Sequence, residues 1–103
     1  GMTVAVDPWL EGNPLCPAAL ITPPPTDLIV LTHGHADHAS DAVRVARATG
    51  AKLAATYELA MIMINEGVSA DLVVPMNKGG TVRVGDVDVT LTHAIHSSSF
   101  DRD

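Results

Sequence analysis

Cysteine is nearly absent: Cys16 stands alone among 103 residues. No intrachain disulfide can form, and a reducing, cytoplasmic setting is the simple expectation. Nothing near Cys16 marks it as a nucleophile, so it reads as an idle thiol. Aromatic residues make up only 3% of a chain that is 47% hydrophobic, which predicts an aliphatic, alanine-rich core. Lys and Arg number six and lie scattered. They make no basic patch, which argues against nucleic acid as a partner. The net charge is −6, yet the acidic residues are equally dispersed, so no acidic tail is implied. No apolar run reaches the length of a membrane span. Residues 2–7 lack the basic start and long apolar region of a signal peptide. Neither membrane insertion nor export is expected. Gly1 ahead of Met2 reads as an expression scar.

What is present is a mixed α/β pattern without repeats, in a length that suits at most one small domain. Residues 2–6 alternate apolar and polar and predict a short strand ended by Asp7-Pro8. Residues 12–25 hold Pro14, Pro17 and Pro23-Pro24-Pro25, predicting a loop with a stiff extended part. Residues 28–31 read as a buried strand. A helix is predicted from 37–40 to Thr49, with Gly50 as its stop. A buried strand follows over 52–56, a helix over 57–66 stopped by Gly67, and a strand over 71–75. Alternation around Gly85-Asp86 then predicts a hairpin spanning 82–91 with a two-residue turn.

The second helix carries six consecutive apolar residues, 59–64. Such a helix is either buried all round in a complete domain or covered by another copy of the chain.

Three of the five histidines fall in one window, His33-Gly34-His35-Ala36-Asp37-His38, directly after the strand 28–31. On an extended chain His33 and His35 point the same way. Asp37 and His38 follow where the chain must turn, so they can face an adjacent position. Neutral imidazole and carboxylate suit zinc and similar divalent metals. His93 and His96 lie after the hairpin, three residues apart. On an extended chain they face opposite ways, so both are not expected at one metal.

The window Leu31-Thr32-His33-Gly34-His35-Ala36-Asp37-His38 resembles the His-x-His-x-Asp-His signature of the metallo-β-lactamase superfamily. Asp7-Pro8-Trp9-Leu10, Gly12-Asn13-Pro14, Met76-Asn77-Lys78-Gly79-Gly80 and His96-Ser97-Ser98-Ser99 resemble one branch of it. That branch comprises uncharacterised metal-dependent hydrolases related to ascorbate-lactonase-like proteins. The resemblance implies the fold class α/β, as the N-terminal half of an αββα sandwich. It implies that residues 1–103 are a partial domain, truncated at the C-terminus before a bridging Asp and a last His found in relatives.

The resemblance also selects His96 over His93. His33, His35 and His96 would bind one divalent metal, with zinc expected first and manganese, iron or nickel as alternatives. Asp37 and His38 would begin a second metal site, and Asp37 would be the catalytic residue that orients or deprotonates the attacking water. Asp7 would orient a ligand imidazole or simply end its strand, and Trp9 would line a pocket or the core. The implied activity is hydrolysis of a small-molecule ester, lactone or phosphodiester by metal-bound hydroxide, impaired if the second site is incomplete. The competing expectation is a non-catalytic metal-binding half-domain that persists as a homo-oligomer. A serine nucleophile among Ser97 to Ser99 is not expected.

Overall fold

Among residues 1–101, which the computed structural model describes, four short strands run parallel and pair in sequence order. They are β1 Val4–Val6, β2 Leu28–Val30, β3 Lys52–Thr56 and β4 Val73–Met76. Their register sets Val4 beside Leu28, Ile29 beside Leu53 and Leu53 beside Val73. Pro75 cannot donate to a ladder, and β4 accommodates it as an edge strand. Parallel pairing demands crossovers. These are supplied by α2 Ala36–Ala39 with α3 Ala42–Thr49, and by α4 Tyr57–Asn65, while β1 and β2 are joined through a loop holding α1 Ala18–Ile21. An antiparallel hairpin, β5 Thr81–Val84 and β6 Val87–Thr90, completes the described elements.

Strand alternation sorts the core into two sides of the parallel sheet. Ile29, Leu31, Leu53 and Ala55 pack with Val45, Leu59 and Met63 on the helical side. Leu28, Ala54 and Met76 pack with Val84 and the apolar residues of the hairpin on the other. The layers are therefore helix, parallel sheet and hairpin, the first half of a helix–sheet–sheet–helix sandwich. Leu28, Ile29 and Leu53 are fully buried and Leu31 is 2% exposed. At roughly 2 kcal/mol per fully buried aliphatic side chain, these residues anchor β2 firmly. The histidine window starts two residues beyond Leu31, so this anchor governs its position.

Several boundaries differ from the sequence expectation. The proline-rich loop contains α1, a single helical turn. The helix expected over 37–49 is two helices, interrupted at Ser40-Asp41. There the Asp41 carboxylate accepts the backbone N–H groups of Leu10 and Glu11 at 2.6 and 2.7 Å. Those long-range bonds have no local sequence signature. The strand expected over 71–75 begins at Val73, after a 3₁₀ turn Ala70–Leu72. In α4, Leu59, Ala60 and Met63 are buried while Met61, Ile62 and Ile64 are half-buried. This chain covers the apolar run only in part. No helix among the described residues is long and apolar enough to cross a membrane.

Candidate metal centre

The C-terminal ends of the parallel strands gather the functional side chains. Asp7 follows β1, His33 and His35 follow β2, and Thr56 ends β3. In open α/β sheets this edge is where ligands bind, because strands end there and loops diverge. His33 lies in the loop between β2 and α2. His35 stands at the N-cap of α2, its carbonyl accepting N–H from His38 and Ala39, each at 2.9 Å. Asp37 and His38 belong to the first helical turn.

His33, His35 and His96 converge, with one ligand atom from each lying within 4.8 Å of the others. Ring centroids are 4.7 Å apart for His33–His35, 4.7 Å for His33–His96 and 5.1 Å for His35–His96. His38 joins from the other side, 4.3 Å from His33 between centroids. A second group of possible ligands comprises Asp7, His33 and His38.

Asp7 has a positive φ of 46°, uncommon for a residue bearing a Cβ. Its carboxylate is surrounded by donors. Oδ1 accepts the Thr32 N–H at 2.7 Å, and Oδ2 accepts the Thr32 hydroxyl at 2.6 Å and His38 Nδ1 at 2.9 Å. The Thr32 hydroxyl donates its one proton to Asp7, so it accepts from His33 Nδ1, 2.8 Å away. Both imidazoles then carry their proton on Nδ1 and present Nε2 as a lone pair. A carboxylate so engaged orients ligands in preference to being one. The Asp-Pro near the start of the chain thus both ends its strand and orients imidazoles.

His33 Nε2 is buried and has no hydrogen-bond partner. A buried, unpaired acceptor is costly, and a cation among His33, His35 and His96 would satisfy it. Burial lowers the pKa of His33 below its ordinary value of 6.5, and the neighbouring His38, His96 and His35 lower it further. The ring is therefore held neutral, the form that binds metal. The donor set fits a divalent cation.

Asp37 lies outside both three-residue groups. Its exposed Oδ2 is 3.6 Å from His38 Nε2, too far for a good hydrogen bond. It is close to the separation of about 3.4 Å expected for two atoms that share a tetrahedral metal with bonds near 2.1 Å.

His96 reaches the cluster because the tail 96–99 lies against the histidine window. The Gly34 N–H donates to Ser98 Oγ at 3.0 Å. A Cβ on Gly34 would fall 2.5 Å from the Ser99 carbonyl oxygen, so only glycine admits this approach. Sequence reasoning missed Ser98 as a positioning residue, and serine in a loop carries no signal for such a role. Asp41 was missed likewise. It holds the 7–13 loop through Leu10 and Glu11, and accepts from Arg44 Nε at 3.1 Å. Burial pushes its pKa up, but the Arg44 and backbone hydrogen bonds outweigh this and leave it lowered.

His93 belongs to neither three-residue group. It lines a cavity of about 490 Å³ that His33 and His96 also line. Trp9 is half-buried, and its carbonyl accepts from Asn13 Nδ2 at 2.9 Å.

The profile of the Beta-lactamase superfamily domain matches residues 2–103. A UPF0173 metal-dependent hydrolase of Rubrobacter xylanophilus is 44% identical over 100 residues, covering 97% of this chain and 40% of its own length. The corresponding protein of Roseiflexus sp. is 41% identical over 103 residues, covering 97% of this chain and 42% of its own. The solved structure of Igni18, described as a novel metallo hydrolase from the hyperthermophilic archaeon Ignicoccus hospitalis, is 36% identical with a TM-score of 0.77. That match covers 92% of this chain and 42% of Igni18. The chain thus spans about two fifths of the length of the curated relatives it matches.

Proposed function

This chain belongs to the Beta-lactamase superfamily domain family, and on that premise we propose that it carries the metal-binding part of a metal-dependent hydrolase. The observation that carries the reading is the buried, unpartnered Nε2 of His33, set among the imidazoles of His35 and His96. Those three residues hold a divalent cation, zinc in first place and manganese, iron or nickel as alternatives. When bound, such a cation supplies a Lewis acid and brings the pKa of water toward about 7.

The chain's own residues supply the rest. Asp7 and Thr32 keep protons on Nδ1 of His38 and His33, leaving the Nε2 lone pair of each ring for a ligand role. Asp37 and His38 face a second, adjacent position, where Asp37 orients the attacking water and accepts its proton. The substrate is a small ester, lactone or phosphodiester whose carbonyl or phosphoryl centre enters the cavity beside His33 and His96. The half-buried outer side of α4 is covered in a homo-oligomer.

Metal content per chain, measured with hydrolysis of generic ester, lactone and phosphodiester substrates, tests the reading. Turnover that is lost together with metal in His35→Ala is expected. Bound metal without turnover favours the second reading, a non-catalytic metal-binding module, for which the openness of the site speaks: His96 is exposed. Folded protein with neither metal nor turnover overturns both. Light scattering that finds a monomer removes the oligomer.

A further inference from the structure

The cavity beside the histidine cluster differs in charge from the rest of the molecule. The chain has twelve Asp and Glu against six Lys and Arg. Among the described residues no carboxylate lines this cavity, whereas Lys78, His93, His33 and His96 all do. Hydroxyls of Thr92 and Ser97 add donors at its wall. Its volume of about 490 Å³ suits a small molecule.

Lys78 and His93 are both exposed, but the turn that carries Lys78 is tied down. This turn is closed by the Gly80 N–H donating to the Asn77 carbonyl at 3.0 Å. Gly79 takes a φ of 86° there, a conformation that side-chain-bearing residues rarely adopt. The same turn is tied to the strand leaving β6. Gly79 N–H donates to the Leu91 carbonyl at 2.6 Å, and Leu91 N–H donates to the Gly80 carbonyl at 3.2 Å. Two backbone bonds therefore hold the 77–80 turn against residue 91, just before His93. Across this join Lys78 Nζ donates to His93 Nδ1 at 3.2 Å. With Nδ1 accepting, the His93 proton resides on Nε2. The pair thus offers an ammonium group and a ring N–H side by side.

We propose that Lys78 and His93 form an oxyanion-binding subsite, so that the substrate carries a carboxylate or phosphate group beside the bond to be cut. The inference rests on the reading of His33, His35 and His96 as a metal centre, because the shared cavity is what sets the anionic group next to the reacting one. Lys78 and His93 touch the substrate's charged end and take no part in bond breaking. Ammonium and imidazole donors favour an oxygen-rich anion over a neutral ester of the same shape. The subsite gives the molecule, which is negative overall, a local field that draws an anion to the cavity.

The test uses the metal-free chain, so that no anion can be held by a metal. Inorganic phosphate and, separately, acetate are titrated while the His93 ring signals are followed by NMR. Saturable shifts of His93 are expected, weakened about fivefold or more in Lys78→Met. Recovery is expected in Lys78→Arg, and no change in the control Lys52→Met at the far end of β3. Tighter binding of phosphate identifies a phosphate-bearing substrate, and equal or tighter binding of acetate a carboxylate. No saturable shift with either anion, or equal affinity in Lys78→Met, overturns the proposal. Zinc titration of the same sample reads His33, His35 and His96. Zinc binding without anion binding sinks the subsite alone, and anion binding without zinc binding sinks the metal centre on which its role depends.

Discussion

Oδ2 of Asp7 accepts from Nδ1 of His38 at 2.9 Å, across 31 positions of sequence. The bond joins the end of β1 to the first turn of α2. It makes the orientation of a candidate ligand depend on a strand remote in the chain. The same oxygen accepts the Thr32 hydroxyl, which in turn accepts from His33. One carboxylate thus sets the tautomer of two imidazoles.

Asp7→Ala is expected to lose three accepted hydrogen bonds and to place alanine at a positive φ. Metal affinity should fall roughly 10- to 100-fold. Stability should fall by about 2–3 kcal/mol. Asp7→Asn, whose side chain tolerates the left-handed region better, should lose less stability than affinity. Zinc competition and urea unfolding measure the two. Unchanged zinc affinity in Asp7→Ala would remove the orienting role.

Gly34→Ala should displace the tail that carries His96, because its Cβ would meet the Ser99 carbonyl at 2.5 Å. No strand or helix includes a residue of that tail, although its Phe100 packs against the helical core. Zinc affinity should drop on the order of tenfold or more, while the far-ultraviolet circular dichroism spectrum stays that of the parent. Parent-like affinity would show that the tail does not need this approach.

Asp41→Ala removes the acceptor of the Leu10 and Glu11 amides and the partner of Arg44. A cost of about 2–4 kcal/mol is expected from the stranded donors. The pKa of Asp41 is lowered on folding from its ordinary 3.8. Its contribution to stability is therefore present in full above 3.8 and is lost as pH falls through the lower folded value. Unfolding curves from neutral to strongly acid pH should show this loss in the parent and not in Asp41→Asn.

The lowered pKa of His33 has the same sign of effect in a higher pH window. The unfolded ring takes up a proton near its ordinary 6.5, whereas the folded ring resists it. The metal-free protein should lose stability as pH falls below 6.5, until the folded ring itself protonates. His33→Gln should flatten that slope and abolish zinc binding at neutral pH. A parent with pH-independent stability across this range contradicts a ring held neutral.

Some parts of the architecture were legible and others were not. β3 is a short apolar run after Gly50, α4 stops before Gly67, and the β5–β6 hairpin alternates about a two-residue turn, so local rules sufficed. The break between α2 and α3 was not legible, because Ser40-Asp41 contains no helix breaker and the Asp41 carboxylate is drawn to a loop some thirty positions earlier. α1 was hidden by the prolines around it. At the site, His33 and His35 were legible from their spacing, whereas His96 stood out from His93 only through resemblance. The segment after β6 has no regular structure and brings His93 to the same cavity.

By itself the sequence determined the strand–helix alternation, the aliphatic core and the dense run of ligand-type side chains after β2, since each depends on neighbours within a few residues. Only the tertiary structure decided that Asp7 reaches His38, that Ser98 meets Gly34 and that Lys78 meets His93. Those meetings depend on how separate segments pack at the C-terminal edge of one sheet, and hydrogen bonds across 15 to 64 positions leave no periodic trace in the chain.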